Sequence, residues 1–255
     1  MSMTRVAHLP TLILSLLPLL VTACHTASKA VPAPAITDGL DLLAAMHARY
    51  AGRWYRDLTV TQEVVFHDQD GSPQPQQTWV ETISLPGRVR SVIGDEGSGN
   101  MEFYVDGAFH VVRDGRVVRK TQRPHPVLHI GYDVYCQPPD ETAVQLEQAG
   151  FELAHLRLTT WNGPRVYVVG AGEGDESTLQ FWVDAEHLLC RRIITRSPSG
   201  VPIDIQFTDY ARFAGVWLCT ELKFYMNGRL LIHEWDVDHE QLDEIDADVF
   251  RIPAG

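Results

Sequence analysis

Ile203-Asp204-Ile205-Gln206-Phe207-Thr208, followed by Val216-Trp217-Leu218-Cys219-Thr220-Glu221-Leu222-Lys223-Phe224-Tyr225-Met226, is the stretch that decides the fold. In the first run Ile203, Ile205 and Phe207 alternate with Asp204, Gln206 and Thr208. In the second, Val216, Leu218, Leu222, Phe224 and Met226 fall opposite Glu221 and Lys223. Side chains two apart share one face of a strand, so both runs predict antiparallel strands with one apolar face and one wet face.

The same period extends upstream. Leu58, Val60, Gln62, Val64 and Phe66 share a face, and a turn at Gly71 to Pro73 leads to a second strand around Thr78 to Leu85. Met101, Phe103 and Val105 alternate with Glu102, Tyr104 and Asp106, and tight turns at Asp106-Gly107 and Asp114-Gly115 separate three short strands. Leu156 to Thr160 turns at Asn162-Gly163 into Val166 to Val169, and a meander continues through Phe181, Leu189, Ile205, Leu222 and Leu231. Such segments number about ten or eleven. Helices are few. Asp38 caps one whose Leu40, Leu43, Met46 and Tyr50 recur at helical spacing, ending near Gly52. Pro126-Val127-Leu128-His129-Ile130 gives a short apolar helical turn or two, and Asp140 is placed to cap a helix running through Ala149 and stopped by Gly150.

A sheet this wide must curl, and its apolar face must be closed by itself, by helices or by a ligand. The expectation is therefore a mainly antiparallel β (α+β) fold, an incomplete barrel capped by the N-terminal helix and a short helical lid. Either the curl fills its own interior with Trp and Phe or a cavity remains, and so little helix favours the cavity.

Ahead of this fold, Arg5 precedes a leucine-rich core from Leu9 to Val21, with no acidic residue before Cys24. Val21-Thr22-Ala23-Cys24 reads as a lipobox, so residues 1–23 are expected to be a cleaved lipoprotein signal peptide and Cys24 the lipidated residue. The core is shorter than the roughly 20 apolar residues a membrane helix needs, which predicts a chain tethered to the membrane by acyl chains. His25 stands where Asp would favour inner-membrane retention, so an outer-membrane anchor facing the periplasm is expected. Residues 24–37, with Ala30-Val31-Pro32-Ala33-Pro34, form a flexible linker. Residues 38–255 are read as one domain.

The chain holds 21 Lys and Arg against 33 Asp and Glu, a formal net charge of −12; the signal segment removes only Arg5, which makes it −13. That balance excludes nucleic acid as a partner. Glu234, Asp236, Asp238, Glu240, Asp243, Glu244, Asp246 and Asp248 crowd the C-terminal end and read as a solvated rim, with docking of a basic protein as the alternative. Cys136, Cys190 and Cys219 are left over from the lipobox; Cys190 and Cys219 fall two strands apart, too far for a disulfide, and free thiols are expected.

The order of elements resembles the outer-membrane lipoprotein-sorting family, the LolA and LolB type carriers, over most of residues 38–252. The resemblance rests on an N-terminal helix, Val60-Thr61-Gln62-Glu63-Val64, the Gly71 turn, Trp79-Val80, Leu85-Pro86-Gly87-Arg88-Val89-Arg90, Val105-Asp106-Gly107, the segment from Tyr210 to Trp217, and the Asn227-Gly228 turn. It implies a helix-capped half-barrel whose hollow receives the acyl chains of lipids or lipoproteins, lined by Val60, Val64, Trp79, Phe103, Val105, Phe181, Ile205, Phe207, Leu222 and Phe224. In the soluble carriers an arginine that helps hold the lid precedes the proline matched by Pro86; Leu85 stands there in this chain. A 16-carbon chain such as palmitate gains on the order of 12 kcal/mol on entering a dry hollow, at about 0.8 kcal/mol per methylene, before ordering costs.

Other chemistries fit less well. His233 and Asp236 point to opposite faces of a strand, as do Asp238 and His239, so they do not converge on a metal. His125 and His129 lack the glutamate of a zinc-protease helix and read as lid or surface histidines. Gly170-Ala171-Gly172-Glu173-Gly174 precedes a strand and not a helix, and Ser197-Pro198-Ser199-Gly200 is a loop without a nucleophile elbow. A non-enzymatic binder without cofactor or metal is expected, with an envelope sensor or scaffold of filled interior as the alternative.

Overall fold

The computed structural model describes residues 35–197 and 199–253; Cys24, the signal segment and most of the linker lie outside the described residues. After α1 (Gly39–Tyr50) the chain forms a meander of β1 (Asp57–Phe66), β2 (Gln77–Ser84), β3 (Arg88–Ile93), β4 (Met101–Val105), β5 (Ala108–Arg113) and β6 (Arg116–Gln122). Two helices follow, α2 (Pro126–Gly131) and α3 (Pro139–Gln148). A second meander then runs through β7 (Leu156–Thr160), β8 (Arg165–Val169), β9 (Gln180–Asp184), β10 (Cys190–Arg196), β11 (Pro202–Phe213), β12 (Val216–Met226) and β13 (Arg229–Gln241). All thirteen strands join one antiparallel sheet in the order β6-β5-β4-β3-β2-β1-β13-β12-β11-β10-β9-β8-β7. The two meanders meet through the β1 and β13 pair, and the segment carrying α2 and α3 links the sheet's two outer strands.

The half-barrel expectation holds, with more strands than the ten or eleven anticipated. β3 was the one not singled out: its inner face is Val89, Ser91 and Ile93, so a serine interrupts the apolar stripe. Where sequence predicted an Asp38 cap, the Asp38 carboxylate accepts the Asp41 N–H at 2.8 Å. Asp140 does not cap α3. That helix starts at Pro139, whose missing N–H costs nothing in a first turn, and Asp140 and Glu141 lie inside the turn, where their charge suits the helix dipole.

Leu42, Leu43 and Met46 of α1 are fully buried against the sheet's inner face, with Phe181, Ile193, Val169 and Phe207 in the same core. Tyr50 donates to the His187 carbonyl at 2.6 Å and Tyr135 to that of Leu188 at 3.2 Å, tying this cap to the β9 to β10 turn. α2 descends close to β11 because residue 131 is glycine: a Cβ there would lie 2.8 Å from Phe207 Cε1.

The outer face carries a smaller cluster of Val166, Val168 and Trp182 with Trp161 against it, crossed by Arg192, which pairs with Asp204 at 2.8 Å. On the outer strand β6, Arg116, Arg119 and Lys120 are exposed, charges that discourage edge pairing with another chain. Cys136, Cys190 and Cys219 are free thiols, and burial pushes all three up, Cys136 to about 12. Of the acidic residues read as a solvated rim, Asp238, Glu240, Asp243, Glu244, Asp246 and Asp248 are exposed. Glu234 and Asp236 are the correction: they pair across from Val64 and Gln62, on the inner face of the sheet.

Candidate functional site: a hollow beneath a short lid

The interior is filled beneath α1 and hollow beneath α2. There a cavity of about 330 Å³ has the sheet as its floor and α2 as its roof; that volume lies in the range of about 300–1,000 Å³ typical of ligand pockets. A neighbouring cleft of about 530 Å³ shares Phe109, Arg123, His125, Val127 and Phe224 as walls and extends toward Leu179, Thr195 and Ile203. Strand alternation supplies the floor. Trp79, Glu81 and Ile83 of β2, Val89 and Ser91 of β3, Glu102 and Tyr104 of β4, Leu222 and Phe224 of β12, and Ile232 and Glu234 of β13 all turn inward, while Val127, Leu128 and Tyr132 come down from the lid.

Of the residues expected to line the hollow, Trp79, Leu222 and Phe224 do so, and Ile205 lines the adjoining cleft. Val60, Phe181 and Phe207 are packed in the core, and Val64 is buried beside Glu234 across the β1 and β13 pair. Phe103 borders the cavity through the strand, but the register pairs it with Arg90 and His110, facing away from Glu102 and Tyr104, and it packs near Asp248 and Val249. Val105 shares that outer face. Among the tryptophans only Trp79 reaches the hollow; Trp54 stacks on Tyr135 at 4.0 Å and Trp235 lies against His233 on the outer face.

Sequence reasoning missed the acids on the floor. Glu81 accepts the Ser91 hydroxyl at 2.6 Å, and Glu102 pairs with Arg113 at 3.2 Å. Burial pushes Glu81 up; burial, reinforced by Glu81, Asp236 and Glu102, pushes Glu234 up to about 8; burial and then Glu81 push Asp236 up to about 7. All three carboxyls hold their protons above the ordinary range, Glu234 and Asp236 far above it. The available signal was the alternate positions Trp79, Glu81 and Ile83, which set a carboxylate inside an apolar stripe, and Ile232, Glu234 and Asp236, which continue an apolar face with acids.

The lid has its own fastening. Asp133, fully buried just after α2, accepts the Gly87 N–H at 3.0 Å on one oxygen, while His129 Nδ1 lies 3.0 Å from the other. His129 is 2 % exposed, and its Nε2 lies 3.3 Å from the Tyr104 hydroxyl. With Nδ1 protonated, His129 donates to Asp133 and accepts from Tyr104, so every partner is satisfied. The chain Gly87, Asp133, His129, Tyr104 thus ties the lid both to the turn after Pro86 and to β4. It sits close to Leu85. His125 caps α2 by accepting the Leu128 N–H at 3.3 Å, and burial pushes its imidazole down to about 3, so it is neutral. Among the described residues no group of three or more His, Cys, Asp or Glu is placed to hold a metal, and no helix is long and apolar enough to cross a membrane.

No protein-family model matches the sequence, and no curated protein matches it. Solved structures do match. A domain from Vibrio parahaemolyticus classed with outer membrane lipoprotein-sorting proteins superposes with a TM-score of 0.57 at 14 % identity, covering 83 % of this chain and 95 % of its own. A LolA superfamily protein from Nitrosomonas europaea gives 0.54 at 11 % identity over 85 % and 98 %, and a DUF1329 family protein from Desulfovibrio piger gives 0.54 at 11 % over 84 % and 95 %. At such identities the likeness is one of architecture, and the architecture of this chain is the LolA-like fold.

Proposed function

We propose that the protein is a membrane-tethered, non-enzymatic envelope lipoprotein that binds acyl chains of lipids or lipoproteins and acts in their trafficking at the outer membrane. The observation that carries this reading is the hollow under α2, walled by Trp79, Tyr104, Phe109, Leu222, Phe224 and Ile232. A hollow of that size with largely aromatic and aliphatic walls can take much of an apolar chain's surface out of water. The lipoprotein-sorting name carried by one structural neighbour supports the same reading. A scaffold with a filled interior is the weaker alternative, since the filled part ends at the α1 half. In this reading the exposed acids from Asp238 to Asp248 offer a basic protein a place to dock.

Native mass spectrometry of the gently extracted protein is expected to show co-purifying lipid, and the delipidated protein is expected to take up a neutral fluorescent acyl ester. An empty protein that also refuses the ester overturns the reading. Tethering is tested separately: Cys24→Ala should move the protein from the membrane fraction to the soluble one, and continued membrane retention would remove the anchor from the proposal.

A further inference from the structure

The floor of the hollow is acidic in a way that acyl binding does not require. Glu81, Glu102 and Glu234 line it, and Asp236 follows Glu234 on the same face of β13, across from Gln62. Arg113 answers Glu102, and Ser91 answers Glu81. Glu234 has neither a hydrogen bond nor an ion pair among the described residues although it is half-buried in the wall of the hollow, and Asp236 Oδ2 is buried with no partner. Of the cations nearby, Arg123 is exposed at the mouth and lies over the Phe109 ring at 4.6 Å, and His125 on the lid is neutral. Tyr104 and Tyr132 are the remaining titratable groups on the wall, and burial holds both phenols in their neutral form. The floor therefore carries more acid than the fold compensates, and burying such groups unpaired is expensive.

We propose that the hollow's occupant is a cationic amphiphile, its chain along the apolar walls beneath α2 and its ammonium nitrogen against Glu81 and Glu234. The inference rests on the reading of the hollow as an acyl-chain site and adds the chemistry of the polar end. Carboxylates set among Trp79, Tyr104 and Phe109 supply both opposite charge and ring faces, the two features that bind alkylammonium groups. A neutral head group leaves the floor uncompensated. A fatty-acid carboxylate adds like charge to it.

The test is calorimetric titration of the full chain with dodecyltrimethylammonium, dodecanol and dodecanoate, each kept below micelle formation. Near pH 9, with the floor ionised, the ammonium is expected to bind about ten-fold tighter than the alcohol, and the carboxylate more weakly than either. The double variant E81Q/E234Q should bind the ammonium no better than the alcohol, its alcohol binding serving as the check that it folds. Ammonium affinity of the unaltered chain should also rise between about pH 6 and pH 9 as the floor ionises, while alcohol affinity stays level; the quaternary head keeps its charge throughout. Equal binding of ammonium and alcohol, or an ammonium affinity that ignores pH, overturns the cation preference and leaves the acyl hollow standing. Failure of all three chains to bind overturns the acyl-chain reading itself.

Discussion

Asp133→Ala is expected to destabilise the protein by about 3 kcal/mol and to free the lid. The Asp133 side chain is buried, and its two oxygens hold the Gly87 N–H and His129. Alanine strands the buried His129 ring N–H and takes the acceptor from the half-buried Gly87 N–H, and each unsatisfied buried polar group costs roughly 1–3 kcal/mol. Asp133→Asn keeps an acceptor for one of the two and should cost less. Urea unfolding measures the total. Hydrogen exchange locates it: the amides of residues 127–132 should lose protection ahead of those in the β11 and β12 pair, because the lid's fastening is lost while the sheet ladder is untouched. Unchanged lid protection in the alanine variant would mean that packing of Leu128 and Ile130, and not the hydrogen-bonded chain, holds α2 in place.

Glu234 and Asp236 should pull the stability of the empty protein down as pH rises from about 4 to about 8, while His125, held neutral in the fold, acts in the opposite sense below about pH 6.5. Glu234 and Asp236 have folded-state values near 8 and 7, raised by burial from 4.5 and 3.8. Below the ordinary carboxyl range both states are protonated and nothing is lost. Above it the unfolded chain releases its protons while the folded one retains them, so unfolding gains with every rise in pH until the buried groups ionise too. Glu234→Gln removes the larger part of this penalty. The variant should be more stable than the parent by roughly 2–4 kcal/mol at alkaline pH and indistinguishable from it near pH 4. Urea midpoints across that range are the measurement, and parallel curves for parent and variant would show that Glu234 ionises freely.

Much of the architecture is legible from local chemistry. The turns Asp106-Gly107, Asp114-Gly115, Asn162-Gly163 and Asn227-Gly228 all place both residues at positive φ, as hairpins between right-twisted strands require. The alternation in β11 and β12 gives their faces correctly, with Ile205, Phe207, Leu222 and Phe224 turned inward. What alternation does not give is the content of the inner face where polar and apolar residues mix. β13 sets Ile232, Glu234 and Asp236 against His233 and Trp235, and composition favours neither set for the inside; its pairing with β1 decides. Phe103 went to the outer face for a related reason. Met101, Phe103 and Val105 are the more apolar set in β4, but the C-terminal segment at Asp248 and Val249 lies beside Met101 and Phe103 on the outer face, which leaves Tyr104 for the hollow. The lid fastening joins residues 87, 104, 129 and 133 from three separate elements, and only the spacing of His129 and Asp133 was local.

The sheet stops short of closing, and the span from β6 to β7 is bridged by the chain that bears α2 and α3. Its girth is consequently not fixed by any ladder of backbone bonds across the gap. Were the proposed occupants to differ in bulk, a shift of that bridging chain would let the curl widen or narrow with each hairpin intact, a strap adjusting where a closed wall would have to rupture.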